Sequence, residues 1–199
     1  MVIPPSIQNI AHFFDKIPGI GPRAALRYAF WLTAQPKSEI TNFINLCQDL
    51  VNNIQTCQIC GSWSEKNICQ ICQNPHRDNT SICVVAHNQD IKVIEDANVF
   101  HGKYHVLNGL IDPIKGRETE NIKQINKLIN RLQQNPQIKE VILALDPDVT
   151  GDTTALYISK KISNLPLTIT RLARGIPTGS QIEYADESTI ADAYFNRKK

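Results

Sequence analysis

CQICGSWSEKNICQIC, residues 57–72, splits this chain of 199 residues into two textures and decides how each is read. It holds two CxxC knuckles, Cys57/Cys60 and Cys69/Cys72, separated by eight residues. Two such knuckles offer four thiolates to one tetrahedral Zn²⁺, and the metal supplies folding free energy that so short a module cannot draw from a hydrophobic core. A redox pair or two disulfides would use the same cysteines. No export signal precedes them in MVIPPSIQNIAHFF, and the spacing favours metal in a reducing compartment. With every ligand a thiolate no position is left for water, so the expected Zn²⁺ is structural, one per subunit. The remaining two of the six cysteines, Cys47 and Cys83, fall on an apolar helix face and inside a strand, where small buried hydrophobes are expected.

Upstream of the knuckles the period is helical. Ile7, Ile10, Ala11 and Phe14 recur at helix spacing until KIPGIGP, where Pro18, Gly19, Gly21 and Pro22 stop the helix in a tight hairpin. Pro22 suits the first position of a second helix, RAALRYAFWLT, closed by Gln35 and Pro36. A third helix is predicted with Ser38 as N-cap and Glu39 in its first turn. It carries Ile40, Phe43, Ile44, Cys47, Leu50, Val51 and Ile54 on one narrow stripe, suited to packing on the first two helices or on another subunit. The hairpin has phosphate-docking chemistry. Its glycines let backbone N–H groups come close to a phosphate, and the next helix presents its positive end. Arg23 and Arg27 lie at i and i+4 and Lys16 just before the turn. Such a site grips backbone without reading bases, so binding would be salt-sensitive and indifferent to sequence. The plain alternative is a helical hairpin whose glycines serve the turn and whose arginines are solvated.

Downstream, short apolar runs alternate with helical stretches. Strands are predicted at Ile82–Ala86, Tyr104–Leu107, Val141–Leu145 and Leu167–Leu172, and helices at Asp90–Asn98, around Ile122–Leu132 and at Thr153–Ile162. That order argues for a mainly parallel sheet covered on both faces. From Gly175 the tail reads as an arm. In LALDPDVTGD, Asp146 and Asp148 stand just past the carboxyl end of a strand, where open α/β sheets bind ligands and paired carboxylates can hold Mg²⁺. Alternatively the segment makes a turn and Asp148–Asp152 caps the next helix. No acid ends the first strand, which runs Val84, Val85, Ala86, His87; Asp90 and Glu95 follow at a helix start and a turn later, and His87 suits a surface or capping position.

In order and spacing, IPGIGPRAALRYAF, CQICGSWSEKNICQIC, NPHRD, YHVLNGLIDPIKG, VILALDPDVTGDTTALYIS and RLARGIPTGSQIEYADE are similar to the RecR family of bacterial recombination mediators, over nearly the whole chain. The resemblance implies a multidomain α+β chain: a helix-hairpin-helix DNA-binding domain at 1–54, a four-cysteine zinc finger at 55–77, a Toprim domain at 78–174 and a C-terminal arm at 175–199. It implies a homo-oligomeric ring, commonly a tetramer, that grips single-stranded, double-stranded or gapped DNA and works with RecO and RecF to load RecA in recombinational repair. Arg23 and Arg27, with Lys16, Gly19 and Gly21, would line the DNA path, the Toprim surface would meet partners and the arm would join subunits. Catalytic Toprim domains carry a glutamate where this chain has Ala86, so general acid or base chemistry lacks an agent and the expected role is a clamp and not an enzyme.

A net charge of +2 announces no global basic field, so DNA contact must come from a local cluster repeated in an assembly. A Mg²⁺-dependent DNA-cleaving or nucleotidyl-transfer enzyme using Asp146 and Asp148, and a protein adaptor with no DNA role, are the competing readings. No stretch is apolar enough to span a membrane, and a cytoplasmic location is expected.

Overall fold

The computed structural model describes residues 3–112, 114 and 119–197; of the stretch ending IDPIKG, Pro113, Lys115 and Gly116 lie outside the described residues. The chain divides into two compact units, Met1–Ile54 and Gln55–Lys199.

The first unit is helical: α1 (Pro5–Phe14), α2 (Pro22–Thr33) and α3 (Lys37–Asn53). Proline opens α1 and α2 within their first turn, where its missing N–H costs nothing. The two helices pack closely because α2 turns Ala25 and Ala29, both buried and one turn apart, inward. Phe14 meets Tyr28 edge to face at 6.2 Å between ring centres. Ser38 is not the N-cap of α3. The carbonyl of Pro36 already accepts from the N–H groups of Glu39 and Ile40, which starts the helix at Lys37 and leaves Ser38 inside its first turn. Nor is Cys47 buried. No residue of α3 is buried, and Phe43, Leu50 and Val51 of its apolar stripe are exposed along with the thiol.

The second unit begins with a two-stranded ribbon, β1 (Gln55–Thr56) against β2 (Trp63–Ser64), and the short helix α4 (Gln70–Gln73). There follow β3 (Ser81–Val85), α5 (Asn88–Ala97), β4 (Lys103–Val106), α6 (Thr119–Gln134), β5 (Glu140–Ala144), α7 (Val149–Ile162) and β6 (Thr168–Arg171). The strands form one fully parallel sheet in the order β4-β3-β5-β6. β3 and β4 are buried on both faces, and β3 is almost wholly apolar, while β4 buries Lys103 and His105 in alternation with Tyr104 and Val106. Ile82 and Val84 join Leu128 of α6 and Ile158 of α7 in one core, while Cys83, Val85 and Tyr104 join a second with Ile91 and Ile94 of α5. The expected burial of Cys83 is met. A 3₁₀ turn, Ile182–Tyr184, and α8 (Glu187–Phe195) complete the tail. Asp186 caps α8, and Arg174 approaches Asp192 on it at 4.0 Å.

Arg77, in the NPHRD stretch, ties the start of this unit together. It donates to Glu95 of α5 at 2.9 Å and to the carbonyl of Gly102 at 3.1 Å, and the Tyr104 hydroxyl donates to the same carboxylate at 2.6 Å. The guanidinium holds the Glu95 carboxyl below the usual carboxylate range. No helix among the described residues is long and apolar enough to cross a membrane.

Candidate functional site

The backbone between the knuckles folds so that all four cysteines converge. The Cys57 N–H donates to the Ser62 carbonyl and the Gly61 N–H to the Cys57 carbonyl, closing the first knuckle; Gly61 has φ +78°, which glycine adopts without strain. Cys69 precedes α4 and its sulfur accepts from the Cys72 N–H at 3.4 Å, while the Cys57 sulfur accepts from the Cys69 N–H at 3.3 Å. The four sulfurs lie within 4.8 Å of one another, and Cys60 and Cys69 are 3.6 Å apart, too far for a disulfide. Sulfurs held at about 2.3 Å from a tetrahedral zinc stand roughly 3.8 Å apart, so the cluster has the right size. Thiols this close cannot all ionise unaided. The hydrogen bond with Cys69 comes first among the causes that push Cys60 up to about 12, and Cys72 is driven up through its bond to Cys60, while Cys69 is driven down. A divalent cation at the centre removes that conflict, and N–H donors already in place suit thiolates.

At the second candidate site, Lys16, Gly19, Gly21, Arg23 and Arg27 are all exposed. Gly19 turns the chain at φ +83°. Gly21, the N-cap of α2, has ordinary extended backbone and nothing within 4 Å of where a Cβ would stand. Among the described residues no side chain caps α2, so its first-turn N–H groups have no side-chain acceptor there. The two glycines should therefore respond differently. Gly19→Ala is expected to lower stability by about 1 kcal/mol through left-handed strain, and Gly21→Ala to leave it unchanged or slightly higher. Thermal melting of both variants checks this, and equal losses would contradict it.

At the third, the sheet register sets Val85 beside Ala144, so the buried Ala86 lies level with Leu145, one residue short of Asp146. The side chain at this position is a buried methyl, which supplies no carboxylate. Asp148 is the N-cap of α7: its carboxylate accepts from the Gly151 N–H at 2.7 Å and from the Thr150 hydroxyl at 2.8 Å, and these bonds, the Gly151 one first, lower its pKa. His87 is the N-cap of α5, and Asp90, at the third helical position, accepts from the His87 N–H at 2.7 Å. Asp146 is exposed. Sequence reasoning did not find that Asp152 is paired with both Arg171 and Arg174, which lower its pKa. The two arginines were visible in RLARG, but only the adjacency of β5 and β6 places them over the α7 start.

Comparison with known proteins agrees with this architecture. Residues 80–173 match the family model of the Toprim domain, residues 54–74 that of the RecR four-cysteine zinc finger domain, and residues 175–198 that of the RecR C-terminal region. The chain is 42% identical over 192 residues to the recombination protein RecR of Dehalococcoides mccartyi, covering 96% of this chain and 93% of that one. It is 42% identical over 191 residues to that of Lactobacillus helveticus, covering 94% and 96%, and 37% identical over 193 residues to that of Thermobifida fusca, covering 97% and 96%. With its four-cysteine cluster, its parallel sheet and this likeness along almost its whole length, the chain belongs to the RecR family.

Proposed function

We propose that this protein is a non-catalytic, oligomeric DNA clamp of recombinational repair, acting in the cytoplasm with RecO and RecF to promote RecA loading at gaps. The observation that carries the DNA reading is the start of α2: an uncapped helix end, entered through a glycine that its own backbone does not require, with Arg23, Arg27 and Lys16 exposed around it. Space reserved above Gly21 is space a phosphate can use. Gly19 serves the same site by turning the chain. Residues 1–54 would grip DNA and 55–77 form the zinc-held module. Residues 78–174 would present the partner face, and 175–199 would join subunits.

Two exposed apolar faces favour assembly into a ring. One is the groove of about 540 Å³ lined by Phe14, Trp31, Ile40 and Phe43; the other is the patch of Ile190, Tyr194 and Phe195 on α8. Repetition around a ring, commonly a tetramer, would bring several copies of a small basic patch onto one DNA and answer the low net charge. Against catalysis stand Ala86, Asp148 engaged in a helix cap, and Asp152 neutralised by two arginines. If Mg²⁺ binds, Asp146 and the Asp148 oxygen that the cap does not use would hold it, and it would supply positive charge for phosphate.

The test incubates supercoiled and gapped plasmid with the protein, Mg²⁺ and low salt, beside the double variant Arg23→Glu/Arg27→Glu. Intact, retarded DNA is expected, with affinity about ten- to a hundredfold lower for the variant. Its slope of log affinity against log salt should be shallower by about 2 for each pair of phosphate contacts removed. Nicked or relaxed DNA that disappears with Asp146→Asn/Asp148→Asn would replace the clamp by the enzyme. Equal retardation of wild type and arginine variant at low salt would favour the adaptor.

A further inference from the structure

The four-cysteine module and α6 enclose a cleft of about 600 Å³ that the clamp reading leaves unused. One wall is Gln58 and Ile59 of the module, the other is the polar stripe of α6. Lys127, Asn130, Arg131 and Gln134 fall at i, i+3, i+4 and i+7, so they share one face, opposite the buried Ile125, Leu128 and Leu132. Lys103 adds a third cation, and among the described residues no aspartate or glutamate lines the cleft.

The walls are fixed in place. Lys103 donates to the carbonyls of Ile71, Cys72 and Asn74, and the Val106 N–H donates to the Cys60 carbonyl at 2.7 Å. Lys103 is thus fully engaged in holding the module to β4. The other two cations are available. Arg131, which lines the cleft, gives one nitrogen to the Tyr104 carbonyl at 2.7 Å, and its other N–H groups have no hydrogen-bond partner among the described residues. Lys127 is exposed and makes no hydrogen bond or ion pair among the described residues. Beside these charges lie the exposed side chain of Ile59, the edge of Ile138, which is otherwise buried in the core, and the amides of Gln58 and Asn130.

We infer that this cleft binds one nucleotide, its phosphate on Lys127 and Arg131 and its base against Ile59 and Ile138, with the amides bonding the base edge. Uncompensated cations beside an amide-rimmed apolar surface match a ligand that is anionic at one end and flat and polar-edged at the other, and the volume suits a ligand of that size. A free nucleotide and an unpaired nucleotide of a DNA strand share this chemistry. The site lies in the second unit, apart in sequence from Arg23 and Arg27.

Isothermal titration of the full, zinc-loaded chain distinguishes the sources, with deoxyadenosine monophosphate as one probe and a short oligothymidylate as the other. Since neither probe contains duplex, failure here leaves the plasmid result of the clamp reading untouched. Binding of the mononucleotide marks a free-nucleotide site, and binding of the oligonucleotide alone marks a strand site in the cleft when it persists in Arg23→Glu/Arg27→Glu and falls in Lys127→Gln. In either case Lys127→Gln should weaken it about tenfold without shifting the melting temperature. Arg131→Lys, which can keep the bond to the Tyr104 carbonyl, should weaken it as well. The inference is overturned if neither probe binds at millimolar concentration, if Lys127→Gln binds as wild type does, or if a short polyglutamate peptide binds and both nucleotide probes do not.

Discussion

Chelation of the four-cysteine centre, or replacement of Cys57 by serine, is expected to unfold the module around β1, β2 and α4 and to lower the stability of the second unit by at least about 5 kcal/mol. The module has little else to hold it: its buried cluster is Cys57, Cys60 and Cys69 themselves, with Ile68 and Ile71 beside them. The loss spreads because the module is bonded to the sheet. Lys103, only 7% exposed, directs its ammonium to three carbonyls at the end of α4, and without them a buried charge is left unsatisfied. The Val106 N–H loses the Cys60 carbonyl at the same time. Elemental analysis should give one zinc per chain, and chemical denaturation with and without chelator measures the cost. A metal-free protein that melts as the loaded one does would end the structural-zinc reading.

What the sequence made legible followed from strong local chemistry. The parallel sheet was readable because β3 and β5 are short β-branched and apolar runs bounded by polar turns. The start of α2 was readable because proline belongs at a first helical position. The N-cap of α3 was misread where two local signals competed: Ser38 has the better capping side chain, but Pro36 already has the backbone shape that begins a helix. Cys47 was misread for a different reason. An apolar stripe says that a face seeks a partner, not that the same chain supplies it. The pairing of Asp152 with Arg171 and Arg174, and the grouping of Lys127 and Arg131 with a zinc-module wall, depend on strand order and on contacts distant in sequence. Arginines and lysines at i and i+4 on a helix look like any solvated face until the opposite wall is known.

His105 was likewise silent in the sequence, and it should make the protein acid-sensitive. It sits in β4, 1% exposed, with its Nε2 3.0 Å from the Gln124 carbonyl and its Nδ1 without a partner among the described residues. A neutral ring with its proton on Nε2 fits these surroundings, donating to that carbonyl. Protonation at Nδ1 would place a charge in the interior, with Arg131 and Lys127 near it. Burial first, and then the Arg131 charge, push the imidazole down to about 4. The ring of the unfolded chain titrates near 6.5. Between those values the unfolded chain binds a proton that the native one refuses. The stabilising contribution is therefore complete above about pH 6.5 and is lost as pH falls toward 4. The loss amounts to about 2 kcal/mol at pH 5 and to roughly 3 kcal/mol once both forms are protonated. Urea unfolding near pH 7.5 and near pH 5, for wild type and His105→Gln, isolates this contribution, because acid competition for the cysteine sulfurs is common to both proteins and cancels in the comparison. The wild type should lose about 2 kcal/mol more than the variant over that interval. Equal losses would mean that the ring is already charged in the native state or lies open to water.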